Sequence, residues 1–135
     1  MKIKILLIED NPQNRYLVTF LLEQAGHEVF QAETGLQGLE MAARIHPDLI
    51  LLDIQLPGMD GHTVARRLKA SPQLCSIPIV AVTSYAMVGD RERCLAAGAE
   101  GYIEKPINPE SFVAEIGRFV RSPYQDAPHE THFDC

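Results

Sequence analysis

Short apolar runs alternate with longer amphipathic stretches along nearly the whole chain, and this alternation constrains the fold more than any other feature. The apolar runs have the length of buried strands and predict strands at 5–8, 28–32, 48–52, 79–82 and 101–104. The stretches between and after them show helical spacing and predict helices at 12–25, 36–45, 61–70, 87–97 and 109–120. Strands that alternate with helices form a parallel sheet with helices on both faces, so we expect a doubly wound α/β fold.

Length and charge narrow the class of protein further. The chain has 135 residues and a formal net charge of −6, and this length suits a single domain. No apolar run approaches the roughly 18 residues that would cross a membrane, so we expect no membrane insertion. Phosphate backbones are bound by clustered lysines and arginines, and the longest basic run is Arg66–Arg67. We therefore expect no direct nucleic-acid partner.

The cysteines are few and widely spaced, at Cys75, Cys94 and Cys135. Their odd number and the lack of a CxxC motif indicate a reducing compartment, and we predict a cytoplasmic protein. The same spacing argues against a disulfide framework and against a zinc site.

The last residues of the chain differ in composition from the rest. We predict a folded domain over 1–121 and a flexible tail or linker stub over 122–135, because the tail contains prolines but no periodicity and no lysine or arginine. The spacing of His129, His132 and Cys135 could bind a metal, but an unstructured tail does not hold ligands rigidly. We therefore interpret these three as ordinary polar residues of the tail and not as a metal site.

Polar side chains follow four of the predicted strands, at the point where each strand ends. These residues are Glu9 and Asp10 after the first run, Asp53 after the third, Thr83 and Ser84 after the fourth, and Lys105 after the fifth. In a doubly wound sheet the carboxyl ends of the strands form one edge, where sites lie. We therefore expect three carboxylates, a hydroxyl and an ammonium group to converge there.

This set of groups suits phosphoryl chemistry. Crowded carboxylates raise one another's pKa unless a cation joins them, and Mg²⁺ prefers such ligands together with water and phosphate oxygens. Asp53 ends the central run and is the candidate nucleophile, which would form an aspartyl phosphate. A single acid after a strand is commonly a helix cap, as we predict for Asp60. Helix capping does not easily explain polar or charged side chains at the ends of four separate strands.

The sequence at these positions resembles the receiver domain of two-component response regulators, the CheY-like superfamily, and within it the single-domain DivK-like regulators. The matching stretches are ILLIEDN (5–11), PDLILLDIQLPGMDG (47–61), IPIVAVTSYAM (77–87) and AGAEGYIEKPI (97–107). The resemblance implies a flavodoxin-like five-stranded parallel sheet in the order 2-1-3-4-5, a fold for which CheY itself is a standard example.

The resemblance also implies a role for each matching residue. Asp53 corresponds to the phosphoacceptor, and Glu9 and Asp10 correspond to the acidic pair that holds Mg²⁺, with Mn²⁺ as a possible substitute. Many members have aspartate where this chain has Glu9, so we expect the longer side chain to reach the metal through water. Gln55 corresponds to the residue whose backbone carbonyl is a further metal ligand.

Three further positions match the part of the family pattern that senses the phosphate. Thr83 corresponds to the switch hydroxyl, Lys105 to the phosphate-pairing lysine and Tyr102 to the switch aromatic residue. The peptide bond before Pro106 is cis in many members, and X–Pro bonds tolerate that isomer.

The function that this resemblance implies is transfer of a phosphoryl group from a histidine kinase or histidine phosphotransfer protein to Asp53. The domain is then a signalling phosphoacceptor rather than an enzyme, although it would promote its own phosphorylation from small donors and its own dephosphorylation. Phosphorylation would alter the surface of the fourth helix, fifth strand and fifth helix, which binds a downstream target. We expect the kinase to contact Asn11, Asn14 and Arg15 beside the acidic edge.

Other functions fit the pattern less well. A phosphatase of the haloacid-dehalogenase type needs a second aspartate two residues after the nucleophile, where this chain has Gln55. A flavodoxin-like cofactor carrier needs a first loop that attracts phosphate, whereas this loop is acidic. The chain could also be the receiver portion of a longer regulator with a cyclase or DNA-binding output domain, although we favour a free-standing regulator.

Overall fold

The structure, a computed structural model, describes residues 2–84 and 88–120. The predicted tail at 122–135, with its candidate ligands His129, His132 and Cys135, lies outside the described residues, as does the domain limit at residue 121. The predicted start of the fourth helix at Met87 also lies outside them. None of the helices in the described ranges is long and apolar enough to cross a membrane.

Strands and helices alternate strictly along the described chain. The strands are β1 (Lys4–Ile8), β2 (Glu28–Ala32), β3 (Leu49–Asp53), β4 (Ile79–Thr83) and β5 (Gly101–Glu104). The helices are α1 (Pro12–Gln24), α2 (Gly35–Ile45), α3 (Gly61–Ala70), α4 (Asp90–Ala96) and α5 (Pro109–Gly117). The alternation that the apolar runs predict is therefore confirmed.

The strands form one parallel five-stranded sheet in the order β2-β1-β3-β4-β5. The predicted order is confirmed, and β3 lies at the centre, where all five of its residues are buried. A strand covered on both faces cannot alternate polar and apolar residues, which explains the continuous apolar run of β3. The carboxyl ends of β1, β3, β4 and β5 therefore lie along the same edge.

The core has two layers, one on each face of the sheet. Side chains from α1 and α5 cover one face, where Leu22 and Phe112 are among the most buried residues. Side chains from α2, α3 and α4 cover the other, where Leu68 and Cys94 are buried. The helices thus hold the sheet from both sides and leave its carboxyl edge free for a site.

Helix and strand limits differ from the predictions at a few positions. The third strand runs from Leu49 to Asp53 rather than from 48 to 52, so Asp53 is itself part of the strand. The helix α4 begins at Asp90, after Gly89 in the left-handed region at φ 85°. The helix α5 ends at Gly117 rather than at residue 120, because Arg118 and Phe119 make tighter turns of the i to i+3 type.

The cysteines also differ from the prediction. Cys75 is disulfide-bonded in the structure, whereas the wide spacing argued against disulfides. Separation along the sequence is a poor guide to separation in space, and this explains the difference. Cys94 is the free cysteine among the described residues, and it is buried.

Candidate functional site

The carboxylates of Glu9, Asp10 and Asp53 meet at the carboxyl edge of the sheet. One oxygen atom from each lies within 4.8 Å of the others. Glu9 and Asp10 follow β1, and Asp53 ends β3, which is the direct neighbour of β1. Glu9 and Asp53 are both 3% exposed, whereas Asp10 is exposed. We call these three residues the acidic pocket.

Lys105 supplies the cation beside the acidic pocket. Its Nζ atom lies 2.9 Å from Glu9 Oε1 and 3.4 Å from Asp53 Oδ2. The peptide bond between Lys105 and Pro106 is cis. One ammonium group faces three carboxylates, so the pocket keeps an excess of negative charge, and oxygen ligands with that charge fit Mg²⁺.

The environment of Glu9 changes its proton affinity. Burial, and then the neighbouring Asp53 carboxylate, raise the pKa of Glu9 from its ordinary 4.5 to about 7, although Lys105 acts in the opposite direction. Its other oxygen, Oε2, accepts a hydrogen bond from the backbone N–H of Asn11 at 3.1 Å. The carboxyl of Glu9 therefore titrates near neutral pH in the metal-free pocket.

This shift predicts a pH-dependent stability of the metal-free protein. A carboxyl with a raised pKa binds its proton more tightly in the folded state than in the unfolded state, so stability is lost as the pH rises from 4.5 through 7. We expect the loss to be about 2–3 kcal/mol. Urea unfolding in a chelator at about pH 5 and about pH 8 measures it. The Glu9→Gln variant should lose most of this pH dependence; an equal dependence in both proteins would contradict the assignment.

The loop after Asp53 is held by short contacts of its own. The backbone N–H of Gln55 donates to Asp53 Oδ1 at 3.0 Å, which fixes the orientation of that carboxylate. Gly61, the first residue of α3, lies against the backbone of β3. A Cβ atom at this position would lie 2.5 Å from Ile54 Cα and 2.7 Å from the Asp53 carbonyl oxygen. Only glycine allows α3 to begin so close to the nucleophile candidate.

The side chain of Gln55 joins the ends of β3 and β4, a contact that sequence reasoning missed. Its amide Nε2 donates to the hydroxyl of Thr83. Its amide oxygen accepts from both the backbone N–H and the hydroxyl of Ser84, each at 3.1 Å. Thr83 is fully buried. Gln55 therefore holds the hydroxyl that the sequence assigns to phosphate sensing.

Tyr102 is anchored to the start of α4. Its hydroxyl donates to Asp90 Oδ2 at 2.8 Å. Burial and the Asp90 carboxylate raise the pKa of Tyr102, so the ring keeps its proton at neutral pH. Tyr102 pairs with Ala81 across the β4–β5 ladder, and side chains two residues apart share a face of a strand. Tyr102 and Thr83 are thus on the same face of neighbouring strands.

The residues that we expect to contact a partner lie at the start of α1, with different exposure. The Asn11 side chain caps the helix by accepting from the Asn14 backbone N–H at 3.0 Å. Arg15 is half-buried and donates to the backbone carbonyls of Glu9 and Asp10, each at 3.0 Å. Asn11 is exposed, and Asn14 is half-buried. The side chains of Asn11 and Arg15 therefore stabilise the loop that carries the acidic pair.

Comparison with known proteins identifies the family. A family model described as the response regulator receiver domain matches residues 5–117. The chain belongs to the response regulator receiver domain family. The resemblance inferred from the sequence motifs is thereby confirmed, and the phosphatase and flavodoxin-like alternatives are set aside.

Relatives and solved structures agree with this membership. The polar-differentiation response regulator DivK of Brucella ovis is 42% identical over 116 residues, which are 86% of this chain and 94% of that protein. The chemotaxis protein CheY4 of Vibrio cholerae superposes with a TM-score of 0.84 at 28% identity, over 89% of this chain and 100% of that one.

A third similar structure contains a metal ion. The receiver domain of the sensor histidine kinase PA1611 from Pseudomonas aeruginosa is 35% identical, with a TM-score of 0.83 over 90% of this chain and 100% of that one. That structure has a magnesium ion coordinated in its active-site cleft. The likeness extends to response regulators and to receiver domains of kinases alike, and both are signalling proteins.

Proposed function

We propose that this receiver domain accepts a phosphoryl group on Asp53. The observation that carries the proposal is the buried Asp53 carboxylate between Lys105 and the acidic pair of Glu9 and Asp10. Its Oδ1 is bonded to the Gln55 N–H, and its Oδ2 faces the Lys105 ammonium group. A transferred phosphoryl group carries negative charge on its outer oxygens, and the ammonium group together with a metal ion would stabilise it.

The metal in this proposal is Mg²⁺, with Mn²⁺ as a substitute. Glu9, Asp10 and Asp53 would hold it, together with the backbone carbonyl of Gln55, and it would neutralise charge on the phosphoryl oxygens. The charge of three carboxylates and one lysine supports this choice, as does the magnesium ion in the similar PA1611 domain.

The contribution of Asp10 to the Mg²⁺ affinity can be tested separately. Asp10→Asn should weaken Mg²⁺ binding by about tenfold or more, because it removes a charged oxygen ligand without changing the size of the side chain. Titration calorimetry at a fixed pH measures the affinity. Asp48→Asn, which changes a carboxylate outside the acidic pocket, is the matched control and should bind Mg²⁺ normally. An unchanged affinity in Asp10→Asn would mean that the metal lies elsewhere.

We infer that the phosphodonor is a histidine kinase or a histidine phosphotransfer protein that docks beside α1. The exposed surface of that helix supports this inference, because Tyr16 and Phe20 are exposed and their rings stack with centroids 6.4 Å apart. Exposed aromatic residues are enriched in protein interfaces. Asn11 caps the same helix, and Asn14 lies in its first turn.

We infer that a downstream target binds the surface formed by α4, β5 and α5. A shallow pocket of about 490 Å³ lies there, and its lining includes Arg91 on α4, Tyr102 on β5 and Glu115 on α5. Tyr102 thus reaches both this surface and the core near Thr83. We place the domain in the cytoplasm.

Incubation with acetyl phosphate tests the proposed function directly. In the presence of Mg²⁺, intact-protein mass spectrometry should show the addition of one phosphoryl group, which hydroxylamine removes because acyl phosphates are labile to it. A chelator should prevent the addition. A phosphoryl adduct that resists hydroxylamine, or no adduct with either acetyl phosphate or a phosphorylated histidine donor, would overturn the proposal.

A further inference from the structure

A second cluster of metal-ligating side chains, separate from the acidic pocket, lies between α3 and α4. It consists of His62 near the start of α3, and of Asp90 and Cys94 on α4. One ligand atom from each lies within 4.8 Å of the others. The three residues are 8%, 7% and 1% exposed, respectively. We call them the buried triad.

The distance between the His62 and Cys94 ligand atoms matches a tetrahedral metal site. His62 Nε2 lies 3.6 Å from Cys94 Sγ. A tetrahedral Zn²⁺ ion with its usual bond lengths to sulfur and nitrogen would place these two atoms about 3.5 Å apart. The two side chains would therefore need little movement to share an ion.

The charge of Asp90 provides a second, independent observation. Its carboxylate is buried and accepts the Tyr102 hydroxyl at Oδ2, but within residues 2–84 and 88–120 it makes no ion pair. A buried carboxylate without a cation costs free energy, and buried charges in proteins are usually paired or bound to metals. A cation between His62, Asp90 and Cys94 would offset that cost.

We propose that the buried triad is a binding site for Zn²⁺ or a chemically similar transition-metal ion. An imidazole, a thiolate and a carboxylate are the ligand types that Zn²⁺ takes, whereas Mg²⁺ avoids sulfur. One carboxylate oxygen of Asp90 would bind the metal, while the other accepts the hydrogen bond from the Tyr102 hydroxyl. A water molecule would complete the tetrahedral set of ligands.

An ion in the buried triad would tie α4 to α3 and, through Asp90, to Tyr102. No side chain caps the start of α4, so a bound metal would restrict the movement of this end of the helix. Arg91, the residue after Asp90, and Tyr102, its hydrogen-bond partner, both line the pocket on the proposed target surface. Metal binding would thus restrict the surface that we propose for target binding, independently of the acidic pocket.

Cobalt titration of the full chain tests this site. Excess Mg²⁺ occupies the acidic pocket, and the buffer is degassed and contains no added thiol. We expect one equivalent of Co²⁺ to produce a thiolate-to-cobalt charge-transfer band in the near ultraviolet and the visible bands of tetrahedral cobalt. Zn²⁺ should abolish both, further Mg²⁺ should change neither, and Zn²⁺ should raise the midpoint of thermal unfolding.

Variants assign the band to its ligands. Cys94→Ser should lose the charge-transfer band, and His62→Gln should bind Co²⁺ more than about tenfold more weakly, since even changes around a metal's ligands cost that much. A variant with His129→Ala and His132→Ala is the matched control for the tail and should behave like the parent protein.

Several results would overturn the proposal. These are the absence of a charge-transfer band in the parent protein, a band that survives in Cys94→Ser, and a band that disappears in the tail variant. If Cys94→Ser does not fold, the parent titration and His62→Gln still decide the matter, because an unchanged affinity in His62→Gln is incompatible with the site.

Discussion

Replacing Asp53 with asparagine is expected to abolish phosphorylation, by at least about 100-fold in rate, whether the donor is acetyl phosphate or a phosphorylated histidine. The amide cannot form an acyl phosphate, while its size and its hydrogen bond with the Gln55 N–H are preserved. The change also removes one negative charge beside Glu9, so the metal-free fold should not be weakened. Intact-protein mass spectrometry and transfer from a radiolabelled donor measure the loss.

Asp60→Asn is the matched control for this prediction. Asp60 caps α3, and its Oδ1 accepts the Thr63 backbone N–H at 2.9 Å, outside the acidic pocket. Asparagine is an equally good cap, so phosphorylation should proceed at the parent rate. If Asp53→Asn took up phosphate as the parent does, or if both variants lost it equally, Asp53 would not be the acceptor.

Replacing Thr83 with alanine should uncouple phosphorylation from target binding. Asp53, Lys105 and the acidic pair remain in this variant, so uptake of phosphate should stay within about threefold of the parent rate. The phosphoryl group, however, would lack the hydroxyl that moves toward it as a donor. Phosphorylation should then change target affinity by less than about twofold, because the movement that carries the signal is missing.

The contact between Gln55 and Thr83 makes this prediction specific to the structure. The Thr83 hydroxyl accepts the Gln55 amide, and a movement of Thr83 toward a phosphoryl oxygen would stretch or break this contact. Movement of Thr83 would leave space that the Tyr102 ring could occupy after release from Asp90. Ser84→Ala, which also removes a contact with Gln55 but not the switch hydroxyl, is the matched control.

Measuring the affinity for a target with and without phosphate shows whether each variant still responds to phosphorylation. Ser84→Ala should retain the response of the parent protein. A response in Thr83→Ala as large as that of the parent would disprove the Thr83–Tyr102 route. Fluorescence of Tyr102 in a background where the other tyrosines are replaced would then show whether the ring moves at all.

The arrangement of strands and the acidic pocket could be predicted from the sequence because both depend on short-range patterns. Apolar runs predict buried strands, and parallel strands bring their carboxyl ends to one edge. Asp53 and Lys105 are separated widely along the chain, yet both directly follow apolar runs, so the parallel sheet alone places them at the same edge. The order of the strands came from the resemblance rather than from the apolar pattern.

The contacts made by long polar side chains could not be predicted in this way. Gln55 reaches Thr83 and Ser84 only because of its rotamer, which no periodicity specifies. The buried triad was missed for a related reason. Its ligands belong to two helices that are distant in sequence, and Cys94 looks like an ordinary apolar position of α4, so no spacing motif exists.

Gly61 has a consequence for how this domain tolerates mutation. It has no charge and no part in phosphoryl chemistry, yet any side chain there would collide with the backbone at Asp53 and Ile54. In a library of all single substitutions selected for signalling, position 61 should therefore be as depleted as the phosphoacceptor itself. A map of sensitive positions would therefore include a residue that contributes only its lack of a side chain. Measuring phosphorylation of the purified variants would distinguish such a residue from those that take part in the reaction.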